Sequence, residues 1–241
     1  FSTTVAGGPF DLVIAGQLLS ELDREMDPAE RVKKHVRLAR TWLEGTNPDG
    51  ALVVVEPALR DRSRHLQTVR DVFTAERMAT VFAPCLHQAA CPALVRETDW
   101  CSEDRPIDLP TWLVPVAKAA GLRWEGSTFA YLVLRRDGVS LGQRLSAHPT
   151  RFRAVSDAIE TKGKSEFFLC GVMLGEGGDF EGRLRVTRLD RHETPDNEAW
   201  SHALRGDLIA IVPPPALRGQ KDEARIDGAT QVKTLDPKEG A

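Results

Sequence analysis

The sequence is short of the features that mark several common protein classes. Its 241 residues include only four cysteines, too few for a disulfide-stapled scaffold, which points to a reduced, intracellular setting. No run of 18 apolar residues occurs, so no helix is expected to cross a membrane. Net charge is −3 and the pI about 6.1, so no global positive field draws in nucleic acid. Any RNA contact has to come from local patches.

What is present is an apolar fraction of 41%, enough for one large domain or a medium domain with a small one. The chain opens at Phe1, close to the apolar run "FDLVIA" (Phe10–Ala15), and reads as a fragment or a processed product. That run suits a strand buried on both faces. A helix beginning near Pro28 carries Val32, Val36, Ala39, Trp42 and Leu43 on one stripe. "NPDG" then makes a turn, and "ALVVVEP" (Ala51–Pro57) a second buried strand. A charged helix over about 61–80 precedes a cysteine-containing loop at 81–108 and a helix over 109–121. "LRWEGSTFAYLVLRRDG" gives two further strands, the second at Tyr131–Arg135. Strand and helix in alternation predict an α/β fold with a largely parallel sheet.

Residues 1–140 are accordingly read as one α/β domain that includes the cysteine loop, followed by a linker helix at 141–161. A small antiparallel β unit should span 162–214, from "SEFFLCGVML", "GRLRVTRLD" and "GDLIAIV". Residues 215–241 are too polar to bury and are expected to form a mobile tail. "GEGG" at 175–178 suits a hairpin turn, not a phosphate loop.

The stretch "APCLHQAACP" draws most of the chemistry. Cys85 and Cys91 stand in it, Cys101 follows in "DWCSED" and Cys170 in "FFLCGV", a spacing of C-x5-C-x9-C and then 68 residues. No close C-x2-C pair of the structural-zinc kind is present. Four thiolates delivered singly suit the separated corners of a [4Fe–4S] core better. Packing as small hydrophobes stays open, and so does Pro84-Cys85 as the nucleophile of a pyrimidine C5-methyltransferase. Glu103, in the polar "SEDR" after Cys101, is expected at the surface.

"FDLVIAGQLLSEL", "LVVVEP", "FAPCLHQAACP", "WC", "FAYLVLRR" and a late strand cysteine occur here in an order that resembles one family. It is the methyltransferase-like family of small-ribosomal-subunit assembly, methyltransferase-like protein seventeen of mitochondria and its bacterial relatives. The resemblance covers about Phe10 to Val212, and the cysteine loop is its specific part. It implies the C-terminal half of a class I, Rossmann-like methyltransferase sheet. It also implies a [4Fe–4S] cluster held by Cys85, Cys91, Cys101 and Cys170, ribosomal RNA or the small subunit as partner, and a bacterial cytoplasm or mitochondrial matrix as location. The sequence departs from the family at Leu86, where proline is usual, and in "WCSEDR", where a more aromatic segment is usual.

For S-adenosylmethionine, the Gly-rich turn and following acid of a class I cradle are absent. Gly16 and Gln17, at the carboxyl end of the first strand, are the remaining candidates for contact with it. No Asn/Asp-Pro-Pro-aromatic signature appears, and no catalytic base can be named; His35, His65 and His87 are read as solvated. Lys33 and Arg37 share a helical face with Arg40, and Arg183 and Arg185 one side of a strand, as candidate phosphate contacts. Two functions follow: an RNA-associated methyltransferase with a structural cluster, or a non-enzymatic rRNA-binding assembly factor, with iron–sulfur or zinc.

Overall fold

The computed structural model describes residues 7–123, 125–175, 179–217 and 222–238. The first strand, β1 (Phe10–Gly16), ends in a turn and a loop that leads to α1 (Pro28–Glu44). Asp27 starts that helix: its carboxylate accepts from the backbone N–H of Ala29 at 3.0 Å and Glu30 at 3.2 Å, and Pro28 needs no donor there. Strand β2 (Thr46–Pro57) runs parallel to β1, and α2 (Arg60–Ala75) follows it. Next come β3 (Thr80–Ala83), the cysteine loop, β4 (Glu103–Pro106), the short α3 (Val114–Ala119) and β5 (Gly126–Arg135).

The first sheet has the order β1-β2-β5-β3, with β4 also on β5. Strand β5 is antiparallel to β2, β3 and β4. The strands expected at 10–15, 51–56 and 130–135 therefore lie side by side. The fold class is α/β, with mixed rather than largely parallel sheets. Alternate side chains of β2 and β5 (Leu52, Val54, Leu132, Leu134) pack on Trp42, Leu66 and Phe73 of α1 and α2. Burying each such side chain contributes roughly 1.5–3 kcal/mol.

After α4 (Leu141–Arg144) the chain builds a second sheet from β6 (Thr150–Ala154), β7 (Ile159–Thr161), β8 (Lys164–Met173), β9 (Phe180–Leu189), β10 (Leu208–Val212), β11 (Glu223–Ile226) and β12 (Gln231–Thr234). A one-turn helix, α5 (Ala199–His202), lies between β9 and β10. The strand order is β11-β9-β8-β6-β10-β12, with β7 on β8. Phe152, Phe167, Leu169, Leu184, Ile209 and Trp200 form its core, and the Phe167 and Trp200 rings meet edge to face at 4.9 Å. A third cluster (Leu86, Leu141, Leu145, Leu208, Ala210 and Leu235) bridges the two sheets.

Several expectations need correction. The linker helix at 141–161 is one capped turn, after which β6 and β7 begin. Pro149 stops helical propagation, and the inward Phe152 and Ala154 impose a period of two. The β unit thus begins at 150 rather than 162, and the tail is not free. Strands β11 and β12 pair with β9 and β10, burying Ala224, Ile226 and Val232. Three or four well-spaced apolar residues suffice to dock a polar strand, which average polarity hides. Residues 126–135 form one strand instead of two. Of "GEGG", residues 176–178 lie outside the described residues.

Candidate metal centre

Strands β3 and β4 pair with β5 at residues 133–135 and 126–129, so the ladder opens between them at Ala130–Leu132. The chain from Pro84 to Ser102 leaves the sheet at this gap and carries three cysteines. Its shape is imposed by α2, whose Arg64, Gln67, Arg70 and Asp71 fall on one face at helical spacing. Arg64 Nη1 donates to the carbonyls of Ala93 (3.0 Å), Arg96 (2.7 Å) and Asp99 (2.7 Å). Gln67 Nε2 donates to Cys101 O at 2.9 Å. Arg70 donates to His87 O at 2.9 Å and to Ala89 O, and the Cys91 N–H donates to the Asp71 carboxylate at 3.0 Å. A polar loop that buries few apolar groups is thus satisfied carbonyl by carbonyl.

Gly142 in α4 permits a close approach from the other side. A Cβ there would stand 2.1 Å from Leu86 O, so any other residue would displace the loop.

The second sheet supplies the fourth sulfur. On β8, Leu169 faces the core and Cys170 the opposite side, where its cross-strand neighbours are Arg153 on β6 and Arg183 on β9. Cys85, Cys91, Cys101 and Cys170 line one cavity of about 310 Å³, and none is in a disulfide. Five arginines (Arg70, Arg96, Arg153, Arg183, Arg205) and two carboxylates (Asp99, Glu103) also line it. The Arg153 guanidinium donates to Glu103 Oε1 through Nε at 2.8 Å and through Nη2, and to Cys101 Sγ through Nη1 at 3.5 Å. His87 Nε2 lies 3.3 Å from Cys170 Sγ.

The electrostatics follow from this enclosure. Burial pushes the Cys85 and Cys170 thiols up and Cys91 up to about 12, and the neighbouring sulfurs add to each shift. Arg70 and Arg153 oppose the rise at Cys85. Burial alone would lower the Arg153 guanidinium, but Cys101 and Glu103 outweigh it and the net shift is upward. His87 is lowered to about 4, by burial and then by Arg70, so its ring is neutral at pH 7. Four neighbouring thiols beside Arg70 and Arg153 make a donor set that would ionise on binding a metal. Buried polar atoms left without partners gather here too: Ser63 Oγ, Gln67 Oε1, Arg70 Nε, His87 Nδ1 and Glu103 Oε2 all belong to cavity-lining residues. Among the described residues, no three His, Cys, Asp or Glu side chains are grouped to hold one metal ion.

The other candidate residues lie apart from this centre or serve it differently. Gly16 and Gln17 form the turn at the carboxyl end of β1, with Gln17 at φ 51° and its N–H donating to Val55 O at 2.7 Å. The buried Glu56 carboxylate accepts from Leu19 N and Ser20 N at 2.8 and 3.0 Å and fixes the loop beyond. Lys33 and Arg37 are exposed on α1, Lys33 beside Glu30 at 2.8 Å. Arg183 is committed to Asp99 and Arg185 to Glu166, with both guanidiniums over the Phe168 ring. Both stay partly exposed, their side chains at 22% and 39%.

The histidines are not solvated as expected. His35 and His87 are buried, and His35 Nδ1 pairs with His65 Nε2 at 2.8 Å. Glu103, expected at the surface, is 2% exposed because Arg153 claims it. Sequence reading missed Arg64, Gln67, Arg70 and Asp71; their spacing of three and four along one helix face was the available signal. It also missed Arg153, inside the segment read as a helix.

No helix among the described residues is long and apolar enough to cross a membrane. No curated protein matches the chain. A family model described as mitochondrial small ribosomal subunit Rsm22 matches residues 2–175, a span that holds β1 to β8 and all four cysteines. On that match, covering well over half its length, the chain belongs to the mitochondrial small ribosomal subunit Rsm22 family.

Proposed function

We propose that the protein is an iron–sulfur-containing, RNA-associated assembly factor of the small ribosomal subunit, built on a methyltransferase-like sheet. In this reading Cys85, Cys91, Cys101 and Cys170 hold one [4Fe–4S] cluster. The observation that carries it is the convergence of these thiols, three from a loop and one from the other sheet, on one cavity. The arginines that line the cavity, four of them also paired with carboxylates, suit the anion that four thiolates and a cluster make. A structural zinc site on the same thiols is the rival reading, and the absence of a close C-x2-C pair speaks against it. When bound, the cluster supplies a four-cornered cross-link and a one-electron couple.

The small-subunit role rests on the family, and ribosomal RNA is the partner it suggests. The location would be a mitochondrial matrix or a bacterial cytoplasm. A parallel pair, β1 and β2, closed by the antiparallel β5, speaks for the C-terminal half of a class I methyltransferase sheet. Adenosylmethionine would meet Gly16 and Gln17 at the carboxyl edge. The alternative, an adenosylmethionine-dependent RNA methyltransferase, rests on that sheet and those two residues.

The test is anaerobic purification followed by iron and acid-labile sulfide analysis. Both are expected in the ratio of a [4Fe–4S] cluster, with loss in Cys170→Ser. Stoichiometric zinc without iron would replace the cluster by a structural zinc site. Calorimetric binding of adenosylmethionine, with methyl transfer to small-subunit RNA, would restore the enzymatic reading.

A further inference from the structure

We infer that His87 donates a hydrogen bond to the Cys170 sulfur when that sulfur ligates iron, which makes it a positioning residue for the fourth ligand and a determinant of the cluster's reduction potential. This rests on the [4Fe–4S] reading above.

The imidazole is 2% exposed and its Nε2 lies 3.3 Å from Cys170 Sγ. The ring is aimed by backbone held from two directions. His87 O accepts from Arg70 Nη2 at 2.9 Å, while Leu86 sits in the apolar cluster between the sheets and its carbonyl presses on Gly142. A thiol can donate its own proton to Nε2. A metal-bound thiolate has none, so the contact then survives only with the proton on Nε2. The rival site for that proton is Nδ1, beside the Ala89 carbonyl but without a hydrogen bond of good geometry. That carbonyl already accepts from Arg70, and a charged thiolate is the stronger acceptor.

Among the contacts between loop and second sheet, this one joins a neutral ring to the Cys170 sulfur. A donor aimed at a ligating sulfur stabilises the more negative, reduced cluster and raises its potential. It also holds Cys170, the ligand contributed by the other sheet, in place for iron.

The experiment uses the full chain, purified anaerobically with its cluster, as wild type, His87→Leu and His87→Gln. In His87→Leu the midpoint potential should shift downward, and iron loss to a chelator should speed up by roughly 10–100-fold. His87→Gln, whose amide can donate, should return both readings toward wild type. Pulsed EPR of the dithionite-reduced wild type carrying ¹⁵N-histidine should show one weak nitrogen coupling, a reading available even if His87→Leu does not fold. An unchanged potential in iron-loaded His87→Leu, no nitrogen coupling, or the strong coupling of a direct iron–histidine bond would each overturn the inference while leaving the cluster intact. Wild type without iron would remove the cluster reading and this inference with it.

Discussion

Replacing Glu103 by alanine tests whether the centre is held by buried charge. The Glu103 and Arg153 side chains are 3% and 5% exposed and join β4 of one sheet to β6 of the other. Without the carboxylate, Arg153 keeps only the Cys101 sulfur at 3.5 Å, a weak acceptor. The half-exposed Arg105, 3.7 Å from Glu103 Oε2, brings positive charge rather than relief. Stranding a buried charge in this way costs about 3–5 kcal/mol. At roughly 2–4 °C per kcal/mol for a chain of this size, Tm should fall by about 6–20 °C. The double variant Glu103→Ala/Arg153→Met removes the stranded cation and should recover most of the loss. Thermal unfolding followed by circular dichroism measures both. A Glu103→Ala variant within about 1 kcal/mol of wild type, or a double variant no better than the single, would refute the reasoning.

Two further outcomes are expected. Burial, and then His35 and Arg31, hold His65 at about 4 in the folded protein, below its ordinary 6.5. On acidification the unfolded chain takes up that proton first, so stability is whole above about pH 6.5 and lost as pH falls to about 4, by roughly 2 kcal/mol after allowance for partial screening. Denaturant midpoints of wild type and His65→Gln should therefore differ in pH dependence across this window; parallel profiles would refute it. Lys33→Glu/Arg37→Glu should weaken binding to small-subunit RNA and lower the salt slope by about one for each phosphate that is no longer neutralised, with folding intact. The exposed Lys33–Glu30 pair is too weak to hold Lys33 back. An unchanged slope by filter binding or anisotropy would leave α1 a solvated face.

The parts of the fold legible in the sequence were those where one period ran unopposed. "FDLVIA", "ALVVVEP" and "YLVLR" are mostly apolar, and each is a strand of the first sheet. "FDLVIA", however, is an edge strand with Leu12 and Ile14 51% and 64% exposed, not buried on both faces as expected. Where charge interrupts the run, the pattern misleads. In "TRFRAV" the inward Phe152 and Ala154 carry a strand whose outward residue, Arg153, completes a site built from 50 residues upstream. "EARI" and "QVKT" read as solvated because two of four residues in the first and three of four in the second are exposed. The four cysteines could be picked out from sequence, but not the face on which Cys170 stands, since one step of register would have turned it into the core. The buried Glu103 and His87 were invisible for the same reason. Their polarity argues for water, and only partners distant in sequence, Arg153 and Cys170, keep them dry.

The division of the cysteines, three on a loop and one on a strand of the other sheet, gives the centre a mechanical meaning. The loop between β3 and β4 reaches the second sheet through polar contacts: Glu103 to Arg153, Asp99 to Arg183, Ser102 to Arg205 and His87 to Cys170. Each such contact contributes little net free energy, because its partners must first give up water. The apolar joint, Leu86 with Leu141, Leu145 and Leu208, is small beside the cores of the two sheets. Ligation across the junction would add a term of another size, since the ligands are not assembled in the unfolded chain and binding energy becomes folding energy. It would also place thiolate charge beside Arg70 and Arg153, which Asp71 and Glu103 already pair. In the proposed assembly factor, holding two sheets in one orientation would then be the cluster's first task, and any surface offered to the small subunit across that junction would depend on it.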